Sequence, residues 1–306
     1  LGNRCSILLS YGTARASSSM FADDDKPVAG QVAKGERKTC GRRATPARVA
    51  FAFLAPFVLG VTSLAHAQTG DPCAPMETRH ARLSDVDDRL ELTLEDGAKL
   101  RLFGVEAPFQ SDASRVAGDV RAWLSGRDLV VELLSATVDR WGRRPARVRA
   151  AMAGSDQILS VADALIDGGR ARVRVEPGPI ACLAPLFALE NEARLARLGL
   201  WANPANLTIL ATRREAFAGH AGQSVIVEGR VTGVGETATR LYLNYGPIRT
   251  VDFSLTFTKA SLKTLAAAGV DPRAMAGVMT RVRGQLDRRF GPQIEVVHPA
   301  SIEIMK

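Results

Sequence analysis

Residues 89–105 read RLELTLEDGAKLRLFGV, and the rest of the chain is best understood outward from them. Leu90, Leu92 and Leu94 alternate with Glu91 and Thr93, and Lys99 to Phe103 repeat the alternation. That period of two belongs to strands with one buried face. Glu95-Asp96-Gly97 lies between the runs, an Asp-Gly pair of the kind that closes a tight hairpin. The stretch therefore predicts a two-stranded hairpin with leucines on one side and charge on the other.

Downstream, DASRVAGDVRAWLSG (112–126) spaces Val116, Val120 and Leu124 four apart, predicting a helix that stops near Gly126. DLVVELLSA and ARVRAAMAG read as strands joined by TVDRWGRRP. SVADALIDGGRARV reads as a helix broken at Gly168-Gly169, then a strand. PLFALENEARLARLGLW predicts a long amphipathic helix with Leu186, Leu189, Ala193 and Leu195–Leu198 on its apolar side, and Pro204 marks a boundary. Short strands, one interrupting helix and helices packed after them predict an α+β unit built on a small barrel. From 207 to 306 five further strand candidates appear: GQSVIVEGRVTGV, TRLYLNYG, TVDFSLTF, GVMTRVRGQL and PQIEVVHP. The helical piece SLKTLAAAG falls between the third and fourth. This pattern predicts a second, smaller OB-like β-barrel domain, on a plan shared with the first but with no repeat visible residue by residue.

The 306 residues are 46% hydrophobic and 24% charged, an ordinary globular balance with room for about two domains. The net charge of +8, mostly arginine, favours polyanionic partners such as nucleic acid, anionic lipid or acidic polysaccharide. The start of the chain predicts processing rather than fold. Residues 1–41 read as a leader from an over-extended gene start. Residues 42–67 hold basic Arg42, Arg43 and Arg48, a short apolar run and Ala65-His66-Ala67, the layout of a signal peptide cleaved after Ala67. The apolar run is too short for a comfortable membrane span. An exported protein, periplasmic or secreted, is therefore expected. Of four cysteines, Cys5 and Cys40 fall in the leader, and an oxidising destination predicts a Cys73–Cys182 disulfide, with two free thiols as the alternative.

DVDD (85–88), LEDGAKLRLFGVEAP, DRWGR (139–143), VADALIDGGRARV and ENEARLARLGLW occur in an order and spacing that resembles the staphylococcal nuclease-like (thermonuclease) family. The likeness covers residues 79–203, within a first domain expected over 77–203. It implies an OB-fold barrel and Ca²⁺-assisted phosphodiester hydrolysis. In that chemistry carboxylates hold the hard cation, and arginines neutralise charge on the transferring phosphate. Carried over, the likeness makes Arg101 and Arg143 the catalytic arginines, and Asp87 and Glu106 the metal ligands. Arg140 and Trp141 take the positions that touch the nucleotide end. Two departures stand out. Phe109 occupies the water-handling glutamate's place, where phenylalanine can neither accept a proton nor orient hydroxide. The turn lacks the family's glycine. A nuclease-like protein with a degraded site is thus expected, binding single-stranded DNA or RNA. The alternative is a non-catalytic binding or scaffold protein of the cell envelope that meets nucleic acid or another anionic polymer.

The same residues have plainer readings. An arginine on a strand commonly serves a salt bridge, and Asp85, Asp87 and Asp88 make an ordinary solvated turn. In the second domain Arg230, Arg240, Arg249, Arg281 and Arg283 interleave with Tyr242, Tyr245, Phe253 and Phe257. That mixture suits single-stranded nucleic acid, yet aromatics alternating on strands equally suit a core.

Overall fold

The computed structural model describes residues 71–108, 111–151 and 157–305, without the side chains of Ser111 and Ala205. The expected leader and signal peptide, Cys5, Cys40 and Phe109 lie outside the described residues. The chain from Gly70 onward forms one compact unit.

Its first part runs β1 (Glu77–Ala81), β2 (Leu83–Val86), β3 (Glu91–Leu94), β4 (Lys99–Leu102), β5 (Val105–Glu106) and α1 (Ser111–Leu124). There follow β6 (Leu129–Leu133), β7 (Arg143–Ala151), β8 (Ile158–Ser160), α2 (Val161–Asp167), β9 (Arg172–Val173) and α3 (Ala184–Leu195). The class is α+β. The opening hairpin forms as β3 and β4, with Glu91 opposite Arg101 and Thr93 opposite Lys99. Gly97 takes φ +82° at its turn, where a side chain would be strained. The seven-stranded sheet is ordered β1-β6-β7-β4-β3-β2, with β8 on β7. Only Arg82 separates β1 from β2, yet β1 pairs with β6 and β2 with β3, at opposite ends of that order. Leu92, Leu94, Leu100, Leu102, Val131 and Val148 form the buried side.

The second part comprises β10 (Ile209–Leu210), β11 (Ser224–Arg230), β12 (Gly233–Glu236), β13 (Arg240–Asn244) and β14 (Ser254–Thr258). Then come α4 (Lys259–Ala267), β15 (Met279–Asp287), β16 (Gln293–Glu295) and β17 (Ile302–Ile304). The eight-stranded sheet is ordered β10-β11-β15-β16-β14-β13-β12, with β17 on β15. Here too the first strand is split: β11 pairs with β15 while β12 pairs with β13. In both halves the third and fifth strands run parallel, β4 beside β7 and β14 beside β16. A helix follows the third strand each time, α1 or α4. The two halves thus share one connectivity. Phe253, Phe257, Leu241, Leu243 and Leu255 fill the second core, and Phe217 stacks on Phe253 at 5.3 Å. Tyr245 joins them, its hydroxyl 2.6 Å from Thr280 Oγ1 and pushed up to about 12 by burial.

Among the described residues both strand orders are open paths rather than the expected closed barrels, and one helix also differs from expectation. The helix α3 stops at Leu195 because Arg197 turns left-handed at φ +54°. Leu195 and Leu198 consequently face solvent, and the buried stripe is Leu186, Glu190 and Ala193. Trp201, beyond the turn, is fully buried with Leu200, Ala193 and Ile226 of the second half.

Candidate functional site

Glu91, Lys99, Arg101 and Arg143 share the outer face of β3, β4 and β7, because Glu91 pairs with Arg101 and Lys99 with Arg143. Leucines at the alternate positions anchor these strands inward. The loop leading into β7 is folded by Asp139. Its Oδ1 accepts from the Trp141 and Arg143 amides at 2.9 and 3.0 Å, and Gly142 at φ +77° lets the chain turn back. Arg143 then donates to Asp139 Oδ2 from Nε at 2.9 Å and pairs with it through Nη2 at 2.8 Å, while Nη1 reaches Glu91 Oε1. The Arg143 hydrogen bond holds the Asp139 carboxyl down to about 2. Burial works against the Arg143 charge, but Asp139 and Glu91 together push its pKa up. Trp141 is 55% exposed, with the Arg140 guanidinium 3.9 Å and that of Arg143 4.5 Å from its ring centroid. Arg140, Trp141 and Arg143 are therefore brought together.

Arg101 is also spoken for. Its Nη1 pairs with Glu176 Oε1, an oxygen that additionally accepts from Arg174 Nε at 3.1 Å. Glu176 is buried. Sequence reading missed it, since no spacing rule links positions 75 apart.

The two expected metal ligands serve different neighbourhoods. Asp87 Oδ1 accepts from the Arg89 and Glu91 amides at 2.9 and 2.8 Å, tying the β2–β3 turn. Nearby Asp85 pairs with Arg121 of α1 at 2.7 Å. Glu106 lies opposite Arg172 in the short β5–β9 ladder. It faces the second half, where burial pushes its carboxyl up against the opposing pull of Ser224, Arg172 and Arg174. A Ca²⁺ ion takes about six to eight oxygens from carboxylates, carbonyls and water. Among the described residues no group of three or more His, Cys, Asp or Glu gathers to hold a metal. The described contacts of Asp87 are the Arg89 and Glu91 amides, while Glu106 lies among Ser224, Arg172 and Arg174. The expected disulfide is formed between Cys73 and Cys182, with Cα atoms 5.5 Å apart.

Between the halves runs a cleft of about 810 Å³, bordered by Glu106, Arg174, Glu176, Ser224 and Arg283. Several second-half residues singled out for nucleic acid do other work. Arg283 is buried, pairing with Glu190 at 2.6 Å and Glu303 at 3.0 Å. Arg281 pairs with Glu228 at 2.5 Å and Glu303 at 3.2 Å, and Arg230 donates to the Gly277 carbonyl at 2.6 Å. Tyr245, Phe253 and Phe257 are core. Arg240, Tyr242 and Arg249 remain on the surface side of β13 and the loop after it.

No helix among the described residues is long and apolar enough to cross a membrane. Neither a protein-family model nor a curated protein sequence matches the chain.

Proposed function

We propose that this is an exported protein that binds nucleic acid without cleaving it, on a nuclease-like OB frame. The observation that carries the reading is the engagement of both phosphate-gripping arginines by internal carboxylates: Arg101 by Glu176, and Arg143 by Glu91 and Asp139. A phosphate entering here would have to displace charge-assisted pairs already in place, which are among the stronger hydrogen bonds available. Transition-state stabilisation relies on preorganised donors aimed at the charge that develops. Here Nε, Nη1 and Nη2 of Arg143 and Nη1 of Arg101 are aimed at carboxylates instead.

The OB frame is supported by the split first strands, whose two segments pair on opposite sides of each sheet path, and by the helix after the third strand in each half. Export is supported by the Cys73–Cys182 disulfide, which persists in oxidising compartments. Binding is supported by the +8 charge and by the exposed Trp141 ring with its two guanidiniums. A Ca²⁺-dependent hydrolase is the second reading. It is favoured by the shared outer face of Arg101 and Arg143.

The two readings separate in one assay. The full chain is mixed with labelled single-stranded DNA or RNA, with Ca²⁺ or with chelator, and both binding and fragment release are followed. The binding reading expects salt-sensitive association independent of Ca²⁺, and no cleavage above the Arg101→Ala protein. Ca²⁺-dependent cleavage that disappears in Arg101→Ala would establish the hydrolase instead.

A further inference from the structure

The β15–β16 turn carries an aromatic ring that the core does not use. Phe290 is 78% exposed. Its loop, DRRFG (287–291), is built like DRWGR at 139–143, the corresponding connection of the first half. Asp287 Oδ1 accepts from the Arg289 amide at 2.9 Å, as Asp139 does from Trp141. The Arg289 guanidinium grips the same carboxylate at 2.7 to 3.1 Å and holds it down to about 2. Gly291 at φ +102° follows Phe290 as Gly142 follows Trp141. A one-residue difference in length hides this correspondence in the sequence.

The turn is also fixed against a second loop. A Cβ on Gly291 would fall 2.4 Å from the Arg249 carbonyl oxygen, so only glycine permits the approach that sets Arg249 beside Phe290. Arg249 lies 3.9 Å over the Tyr242 ring and pairs with no carboxylate among the described residues. A groove of about 250 Å³ connects them, lined also by Thr256, Gln293, the Arg240–Glu295 pair and the Arg289–Asp287 pair. That is below the roughly 300–1,000 Å³ of sites that enclose a small ligand, and suits a polymer passing across. A guanidinium that pairs with no described carboxylate, an exposed ring and the Thr256 and Gln293 side chains match phosphate, base and base edge in turn.

We infer that this groove binds single-stranded nucleic acid, with a base stacked on Phe290 and a phosphate at Arg249. The inference rests on the reading that the protein binds nucleic acid, and adds where and in which form. Single strands are favoured because a duplex has no free base face to offer a ring.

The test is fluorescence anisotropy of the full chain with a short labelled oligothymidylate, a duplex of equal length, and heparin as a base-free polyanion. Phe290→Ala should weaken single-strand binding about tenfold, and Phe290→Trp should retain it. Arg249→Ala should lower the salt slope by about one. Duplex and heparin binding should not respond to Phe290→Ala. Unchanged single-strand affinity in Phe290→Ala, with loss in Trp141→Ala, overturns the inference while leaving nucleic-acid binding standing. Equal losses for heparin assign the groove to acidic polysaccharide and overturn it too. A wild-type chain that binds neither oligonucleotide overturns both. Because Phe290 is exposed, an unchanged thermal midpoint should accompany each variant.

Discussion

Glu106 stands where the two halves meet, among Ser224, Arg172, Arg174 and Glu190, and burial raises its carboxyl above the ordinary value of 4.5. A raised carboxyl is protonated more readily in the folded chain than in the unfolded one. Its contribution to stability is therefore fully present below 4.5 and is lost as pH rises through the folded-state value. Near neutral pH it is a net cost. Glu106→Gln should then raise the thermal midpoint near neutral pH, and the gain should vanish below that ordinary value. A variant that destabilises at neutral pH would mean the ionised carboxylate is needed by Arg172 and Arg174. Asp139 shows the opposite sign: held down to about 2 by Arg143, it supports the loop until strongly acid conditions. Two carboxyls in one domain thus diverge because one meets a desolvating surface and the other a bidentate guanidinium.

Among the elements, the end of α2 and the turn after α3 depend on two glycines that touch. A Cβ on Gly169 would lie 2.2 Å from the Leu198 carbonyl oxygen, and one on Gly199 would lie 2.3 Å from that of Gly169. The approach lets the Leu200 amide donate to Gly169 O at 2.8 Å, seating Trp201 in the core. Gly169→Ala should cost at least about 1–3 kcal/mol, from the left-handed φ of +62° and the clash together. Gly97→Ala, equally left-handed but with open space around it, should cost only about 1 kcal/mol. Denaturant midpoints of the two variants give the difference due to contact alone. The hairpin at Gly97 was legible because alternation and an Asp-Gly pair are local signals. The reach of α3 was not, because Leu195 and Leu198 continue the apolar spacing while the backbone reverses at Arg197. The partners of Arg101 and Arg283 were equally hidden, since Glu176 and Glu190 lie 75 and 93 residues away along the chain. The aromatic turn at Phe290 became recognisable only once the two sheets revealed their common connectivity.

For the whole molecule, what matters is how the halves are fastened. The Cys73–Cys182 bond spans 109 residues of the first half, and in the chain-entropy model such a closure contributes about 4–5 kcal/mol. Reductant should lower the thermal midpoint accordingly. Across the halves the fasteners are polar and buried. Glu190 accepts from the Val173 amide at 2.7 Å and from Arg283 at 2.6 Å, while Arg283 packs over the Phe187 ring at 4.4 Å. Arg172 donates to the Ser224 carbonyl at 2.9 Å and to Asn206 Oδ1 at 3.1 Å. The apolar share is smaller, with Ile226 resting on Trp201. Glu190→Ala would leave Arg283 buried without its closest carboxylate and strip the Val173 amide of its acceptor. Removing one partner of a buried ion pair typically costs about 3–5 kcal/mol. Because this cost falls on the junction rather than on either core, the wild-type chain should unfold in one cooperative transition and the variant in two. Glu190→Gln keeps an acceptor for Val173 and should cost less without splitting the transition. Calorimetry of the three proteins decides it: a Glu190→Ala chain that still melts in one step, within about 1 kcal/mol of wild type, would shift the coupling to the Trp201–Ile226 contact and the Arg172 bonds.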